Sequence, residues 1–127
     1  MDRKPLIAIV DDDESAREGI VDLVSAMGYK AQAFEGAVDF LHSLQTARAD
    51  CLITDVSMPG MTGLELLDHL LASGRVIPAI VLSAFTVDAD RMHALAAGAV
   101  CYLSKPFQES ELIRCIHVAL SSTGPYQ

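Results

Sequence analysis

Short apolar runs recur at regular intervals along the chain and alternate with segments of helical periodicity. Four of the runs are almost continuously apolar, as is typical of strands buried on both faces of a parallel sheet. The run KAQAF at 30–34 alternates in polarity instead, which predicts an edge strand. The continuous runs are LIAIV at 6–10, CLIT at 51–54, AIVLS at 79–83 and VCYLS at 100–104.

Each segment after a run carries apolar residues three or four positions apart, which predicts a helix with one buried face. SARE at 15–18 has the spacing of a capping box, so we expect the first helix to begin at Ser15 and to end before Gly28. The side chains expected in the core are Ile20, Leu23, Val24 and Met27 in the first helix, Ala37, Leu41 and Leu44 in the second, Leu64, Leu67, Leu70 and Leu71 in the third, Met92, Leu95 and Ala96 in the fourth, and Leu112, Ile113, Ile116, Ala119 and Leu120 in the fifth.

Strands that alternate with helices imply right-handed crossovers, and therefore one α/β domain with a parallel sheet covered on both faces. We assign residues 1–121 to this domain. Residues 122–127 are small and polar and include Gly-Pro, which predicts a C-terminal tail or the start of a linker.

Composition narrows the functional class. The chain has 127 residues, of which 51% are hydrophobic, so it is expected to fold as one domain and not to be disordered. No apolar run is long enough to span a membrane or to form a secretory signal, and we expect a cytoplasmic protein. The net charge of −8 argues against direct binding to nucleic acid or membrane. The three cysteines are widely spaced, which predicts reduced thiols.

The predicted strands carry reactive side chains at their carboxyl ends. DDD at 11–13 follows the first strand, Asp55 follows the third, Ser83 ends the fourth and Lys105 follows the fifth. Ligands of open parallel sheets bind outside these strand ends. The sequence therefore predicts a site that combines carboxylates, a hydroxyl and an ammonium group.

Crowded carboxylates repel one another unless a cation lies among them. Mg²⁺ prefers two or three carboxylates and retains water molecules, so it suits the acidic run. Asp55 stands alone before a turn-rich loop and has the placement of a nucleophile toward phosphorus. Lys105 and Mg²⁺ would neutralise the transferred group, and the hydroxyl of Ser83 would donate to one of its oxygens.

These motifs together resemble the receiver domain of two-component response regulators. The similar segments are VDDD at 10–13, TDVSMPGMTG at 54–63, LSA at 82–84, AGA at 97–99 and YLSKPF at 102–107. The resemblance implies a flavodoxin-like (βα)5 fold, a doubly wound parallel sheet with strand order 2-1-3-4-5. The segment AGAVCYLSKPF is similar to receivers of the nitrogen-fixation regulator type.

The resemblance also implies a role for each site residue. Asp55 matches the aspartate that accepts a phosphoryl group from a histidine kinase in a two-component phosphorelay. Lys105 matches the phosphate-binding lysine, with a cis bond to Pro106, while Ser83 and Tyr102 match the pair that switches conformation. The expected Mg²⁺ ligands are Asp11, Asp12, Asp55 and the backbone carbonyl of Ser57.

Other partners follow from the same resemblance. The phosphodonor is a cognate histidine kinase or a phosphotransfer protein, and a homodimer would use the fourth helix, fifth strand and fifth helix. An output domain would be fused or separate. The activity expected is a signalling switch that catalyses only its own aspartyl phosphorylation and dephosphorylation.

Two alternatives remain open at this stage. A haloacid-dehalogenase-like phosphatase would use Asp11 as its nucleophile, but that reading gives no role to Asp55 or Lys105. A flavodoxin-like nucleotide or flavin module would carry a glycine-rich or hydroxyl-rich phosphate loop after the first strand, where this chain is acidic.

Overall fold

A computed structural model describes residues 4–44 and 48–121, and within these ranges five strands alternate with five helices. The predicted tail at 122–127 lies outside the described residues. The strands are β1 (Leu6–Val10), β2 (Lys30–Phe34), β3 (Cys51–Asp55), β4 (Ala79–Ser83) and β5 (Ala99–Ser104), and the helices are α1 (Glu14–Ala26), α2 (Ala37–Ser43), α3 (Gly63–Ala72), α4 (Asp88–Ala96) and α5 (Glu109–Ser121).

The strands form one parallel sheet in the order β2-β1-β3-β4-β5, which confirms the predicted fold class. Successive side chains of a strand point to opposite faces of the sheet. Along β1, Ile7 and Ile9 accordingly pack with the helices α1 and α5, whereas Ala8 and Val10 pack on the side of α2, α3 and α4. The sheet is therefore covered on both faces, as its apolar strands predict.

The first helix begins earlier than the capping-box spacing predicts. Asp13, and not Ser15, occupies the N-cap, and its carboxylate accepts a hydrogen bond from the backbone N–H of Ser15. Aspartate at an N-cap also interacts favourably with the helix dipole. The first helix ends as predicted, because Gly28 adopts a φ of 93° directly after the C-cap residue Met27.

The prediction for the buried face of α4 is wrong. Met92 and Leu95 are 66% and 43% exposed, Ala96 is exposed as well, and the buried residue of this helix is Ala94. The small side chain of Ala94 allows α4 to lie close to its neighbours. The face of α4 that carries Met92 and Leu95 points outward. In α3, Leu71 is similarly exposed, and Leu66, which the prediction omitted, is fully buried.

None of the helices within residues 4–44 and 48–121 combines the length and apolarity needed to cross a membrane.

Candidate phosphoryl-acceptor site

The loop after β1 holds two aspartates in different environments. Asp11 is 1% exposed, and its Oδ1 accepts a hydrogen bond from the backbone N–H of Asp13 at 3.0 Å. Arg17 reaches back from α1 and donates to the carbonyl oxygen of Asp11 at 2.8 Å. Asp12 is exposed. The loop therefore fixes one carboxylate inside the site and leaves the next one accessible to solvent.

Asp55 is the last residue of β3 and is 8% exposed. The chain returns close to it at Gly63, where an added Cβ would overlap the carbonyl oxygen of Asp55. Only glycine fits this approach. A capping box between Thr62 and Glu65 begins α3 at the same point, with bonds of 2.9 and 3.1 Å. The glycine and the capping box together explain why the loop from 56 to 62 closes tightly over the end of β3.

Asp11, Asp12 and Asp55 come together at the carboxyl edge of the sheet. Each offers a ligand oxygen, and these oxygens lie within 4.8 Å of one another. Lys105 extends from the end of β5 into the same site, where its Nζ lies 3.2 Å from Oδ1 of Asp55 and 3.6 Å from Oδ2 of Asp11. Both oxygens are buried, and apart from Lys105 neither has a hydrogen-bond partner among the described residues.

The charges of the site perturb one another. Burial raises the pKa of Asp55; Lys105 opposes this effect, while Asp11 and Asp12 add to it, and the net shift is upward. Burial by itself would lower the pKa of Lys105, but the carboxylates of Asp11 and Asp55 outweigh it and the net shift is upward. The site thus combines three carboxylates with one ammonium group and has an excess of negative charge.

Ser83 ends β4, and its hydroxyl is engaged within its own loop. It donates to the carbonyl oxygen of Phe85 at 2.7 Å and accepts from the N–H of Phe85 at 3.2 Å. The same loop is joined to the end of β5 by a hydrogen bond between the hydroxyls of Thr86 and Ser104. The backbone N–H of Lys105 donates to the carbonyl of Ser83 at 2.7 Å, so this loop and the lysine are held together.

Tyr102 lies on β5 and packs against the apolar cluster on the side of α2, α3 and α4. Its hydroxyl is buried and has no hydrogen-bond partner among the described residues. The peptide bond between Lys105 and Pro106 is cis. Ser57 is exposed in the loop two residues after Asp55.

Five contributions to the site were not predicted from the sequence: Asp13 as the helix cap, Arg17 on the Asp11 carbonyl, the capping box of Thr62 and Glu65, Gly63 against Asp55, and the contact of Thr86 with Ser104. The first had a signal, because aspartate before a helix is a strong N-cap. Gly63 belongs to the segment TDVSMPGMTG, which carries the resemblance, but its contact with Asp55 depends on the folded loop.

The residues present fit a hard divalent cation. Buried carboxylates are costly unless opposite charge compensates them. Lys105 supplies one positive charge against Asp11 and Asp55, and the exposed carboxylate of Asp12 stands beside them, so the site still carries excess negative charge. Oxygen ligands with room for water are what Mg²⁺ prefers.

The fold and the site together define a class: a doubly wound α/β domain whose sheet brings two buried aspartates, an exposed third aspartate and a lysine together at its carboxyl edge. The chain belongs to the response regulator receiver domain family, whose model matches residues 7–117. Members of this family are signalling proteins that accept a phosphoryl group from histidine kinases on an aspartate, and they bind Mg²⁺ at an acidic pocket. The phosphatase alternative, with Asp11 as nucleophile, is not favoured.

Individual proteins show the same relationship. The chain is 38% identical over 119 residues to the response regulator protein TodT of Pseudomonas putida, and the match covers 94% of this chain and 52% of TodT. It thus spans about half the length of this curated relative. The receiver domain of the Francisella response regulator 1452 superposes with a TM-score of 0.88 at 26% identity, covering 95% of this chain and 100% of that domain. The crystal structure of FixJ-N gives a TM-score of 0.86 at 31% identity, with 94% and 95% covered.

Proposed function

We propose that Asp55 is the phosphoryl acceptor of this chain, that a histidine kinase or a phosphotransfer protein is the donor, and that phosphorylation switches the conformation of the domain. The observation that carries the proposal is the placement of Lys105 against two buried carboxylate oxygens, one of them on Asp55, that have no other partner among the described residues. Phosphoryl transfer needs a carboxylate oxygen that is free to attack phosphorus and a positive charge beside it. Asp55 and Lys105 supply these two groups at the same place.

The chemistry is a displacement at phosphorus. A carboxylate oxygen of Asp55 attacks, the bond from phosphorus to the donor nitrogen breaks, and the imidazole of the donor leaves with the bonding electrons. The ammonium of Lys105 offsets the negative charge on the phosphoryl oxygens. The product is an acyl phosphate on Asp55, and attack by water returns the free carboxylate. The chain acts only on itself and is a signalling switch, not an enzyme with an external substrate.

Mg²⁺ would be held by the carboxylates of Asp11, Asp12 and Asp55 and by the backbone carbonyl of Ser57. When bound, it supplies positive charge that offsets both the repulsion among the carboxylates and the charge of the phosphoryl group. Burial of Asp11 and its bond to the N–H of Asp13 keep this carboxylate in place for that role.

The conformational switch involves Ser83 and Tyr102. To donate to a phosphoryl oxygen on Asp55, the hydroxyl of Ser83 must give up the hydrogen bond that it donates to the carbonyl oxygen of Phe85, which loosens the loop before α4. The movement changes the space beside Tyr102, which already packs against the cluster that contains Ala94 of α4. Phosphorylation therefore acts as a local charge change that biases a two-state element.

We propose that residues 1–121 form the receiver domain and that it works in the cytoplasm, where it is followed by or partnered with an output domain. A homodimer through α4, β5 and α5 would couple the switch to that output. The exposed Met92 and Leu95 on α4 supply apolar surface for such a contact.

The test is intact-mass spectrometry after incubation with acetyl phosphate, with and without Mg²⁺. The expected result is a gain of one phosphoryl group that requires Mg²⁺ and is absent in Asp55→Asn. The matched control is Asp39→Asn, which removes an exposed carboxylate on α2. A gain that persists in Asp55→Asn would place the nucleophile elsewhere and contradict the proposal, and so would equal labelling in EDTA.

A further inference from the structure

Basic residues collect at the edge of the sheet that lies opposite the acceptor site. Of the nine basic residues in the chain, Lys4, Lys30, Arg48 and Arg75 lie at the amino ends of β1, β2, β3 and β4 or in the segments that lead into them. Asp50 is the one carboxylate in the described part of these segments. In a chain with a net charge of −8, the amino edge is therefore locally cationic.

Asp50 does not neutralise this edge completely. Its Oδ2 accepts from the backbone N–H of Leu6 at 2.8 Å, and its Oδ1 accepts from Arg48 at 2.6 Å. The carboxylate is thus already paired with one cation. Lys4 and Lys30 are exposed and form no ion pair within residues 4–44 and 48–121.

A cavity of about 520 Å³ opens between these cations. The charged side chains around it are Lys4, Lys30, Arg48 and Asp50, and half-buried Leu6, Tyr29 and Ala31 line it. The backbone below is held in register, because Leu6 pairs with Lys30 and the N–H of Lys30 donates to the carbonyl of Pro5. The volume lies in the range of roughly 300 to 1,000 Å³ that is typical of sites for small ligands.

We propose that this cavity binds a phosphate-bearing ligand with an apolar or aromatic body, of the size of a nucleotide. The phosphate groups would lie between the ammonium groups of Lys4 and Lys30. The body of the ligand would lie against the ring of Tyr29, since aromatic faces favour offset stacking with flat rings. Phosphoryl transfer to Asp55 does not require Lys4, Lys30 or Tyr29.

The site is separate from the acceptor site. The five residues of β1 lie between them, which at 3.3 Å per residue amounts to roughly 16 Å. Binding at the amino edge therefore does not depend on the identity of residue 55, and the test gives the same result in Asp55→Asn if that variant folds.

The experiment is a titration of the full chain with ATP in EDTA at low ionic strength, followed by the amide resonances of a ¹⁵N-labelled sample. The expected result is saturable shifts at residues 29–32 that are larger than those at residues 11–13. Tripolyphosphate and adenosine are titrated in parallel and are each expected to bind at least tenfold more weakly than ATP. The double variant Lys4→Gln/Lys30→Gln is expected to lose at least tenfold in ATP affinity.

The matched control is Arg91→Gln, which removes an exposed cation from α4 and should leave ATP binding unchanged. Three results would overturn the proposal: no shifts at residues 29–32 with millimolar ATP, equal affinity for ATP and tripolyphosphate, or wild-type affinity in the double variant. Equal affinity for tripolyphosphate would show that the cations alone bind phosphate and that the cavity does not bind the adenine ring.

Discussion

Lys105 and Asp55 face each other across the carboxyl edge of the sheet, with 3.2 Å between Nζ and Oδ1. The lysine stands at the end of an outer strand and the aspartate at the end of the central one. Their approach requires that Lys105 extend past the end of β4, where its backbone N–H is bonded to the carbonyl of Ser83. A backbone hydrogen bond to Ser83 thus fixes the main chain of Lys105, and the carboxylate of Asp55 attracts its ammonium group.

Replacement of Lys105 by alanine should slow phosphorylation by acetyl phosphate about 100-fold, because one preorganised charge on the phosphoryl oxygens is lost. Mg²⁺ affinity should be equal or higher, since a cation that competes for Asp11 and Asp55 is removed. Stopped-flow phosphorylation and a Mg²⁺ titration measure the two quantities. Lys30→Ala, on the opposite edge of the sheet, is the control and should retain the wild-type rate. A Lys105→Ala protein that is phosphorylated normally would contradict the role of the lysine.

Mg²⁺ should stabilise the fold through Asp12. At ten times its dissociation constant a ligand adds about 1.4 kcal/mol to the free energy of unfolding, which raises the melting temperature by roughly 4 °C in a domain of this size. Asp12→Ala should lose most of this increase, whereas Glu18→Ala, an exposed carboxylate on α1, should keep it. Thermal melts with MgCl2 and with EDTA provide the comparison. An undiminished Mg²⁺ effect in Asp12→Ala would remove this residue from the metal site.

Gly63→Ala should destabilise the domain by about 1 to 3 kcal/mol, because the added Cβ meets the backbone of Asp55 and Val56 and neither can yield easily. It should also reduce phosphorylation, since the backbone that moves carries the acceptor. Gly19→Ala is an informative control. Gly19 lies inside α1 with open space around it, so alanine there should stabilise the helix by about 0.5 to 1 kcal/mol. Urea denaturation of both variants tests the contrast, and equal effects would contradict it.

The raised pKa of Asp55 makes stability depend on pH in metal-free protein. A carboxyl group whose pKa is higher in the folded state binds its proton more tightly when folded. Its favourable contribution is complete below the unfolded value of about 3.9 and is lost as the pH rises through the folded value. In EDTA, the melting temperature of Asp55→Asn minus that of wild type should therefore increase as the pH rises from about 4, and then level off.

The control for this pH experiment is Asp22→Asn, which removes an exposed carboxylate on α1 without altering the acceptor site. A difference between Asp55→Asn and wild type that falls with rising pH would mean that Lys105 outweighs burial at Asp55.

Tyr102→Phe should stabilise the unphosphorylated domain by about 1 kcal/mol. The tyrosine hydroxyl is buried without a hydrogen-bond partner among the described residues, and its removal relieves that desolvation cost. Tyr29→Phe, at a half-buried position on the amino edge, should change stability by less. Denaturation midpoints of the two variants decide the matter, and a destabilised Tyr102→Phe would show that the hydroxyl has a partner.

Much of the fold was predictable because four of the five strands, all but β2, are nearly continuous in apolar residues and end in or directly before a polar group. Parallel topology then brings those ends together, so Asp11, Asp55 and Lys105 could be placed at one edge before their distances were known. The strand order came from the resemblance and not from the pattern of residues.

Other features depend on the packed chain. Periodicity ranked Met92 and Leu95 as the buried residues of α4, but it cannot tell that the helix is seated on the small Ala94. Asp13 and Ser15 are both good N-cap residues and lie two positions apart, so the sequence alone does not decide which of them begins α1. The contact of Thr86 with Ser104 joins residues 18 positions apart, and no local pattern reports it.

The shallow seat of α4 has a consequence for the energetics of signalling. Ala94 is the one buried residue of α4 and its N-cap has no side-chain hydrogen bond, so few apolar contacts hold this helix. An exposed hydrogen bond of 2.8 Å between Nε2 of His93 and the carboxylate of Asp68 joins it to α3. To change the populations of two helix positions from 1:99 to 99:1, a modification must favour the second position by about 5.5 kcal/mol. A deeply packed helix would also lose its packing contacts when it moved, and that cost would be added. Under the proposed function, the few apolar contacts of α4 therefore add little to the interaction that one phosphoryl group on Asp55 must supply to shift the helix.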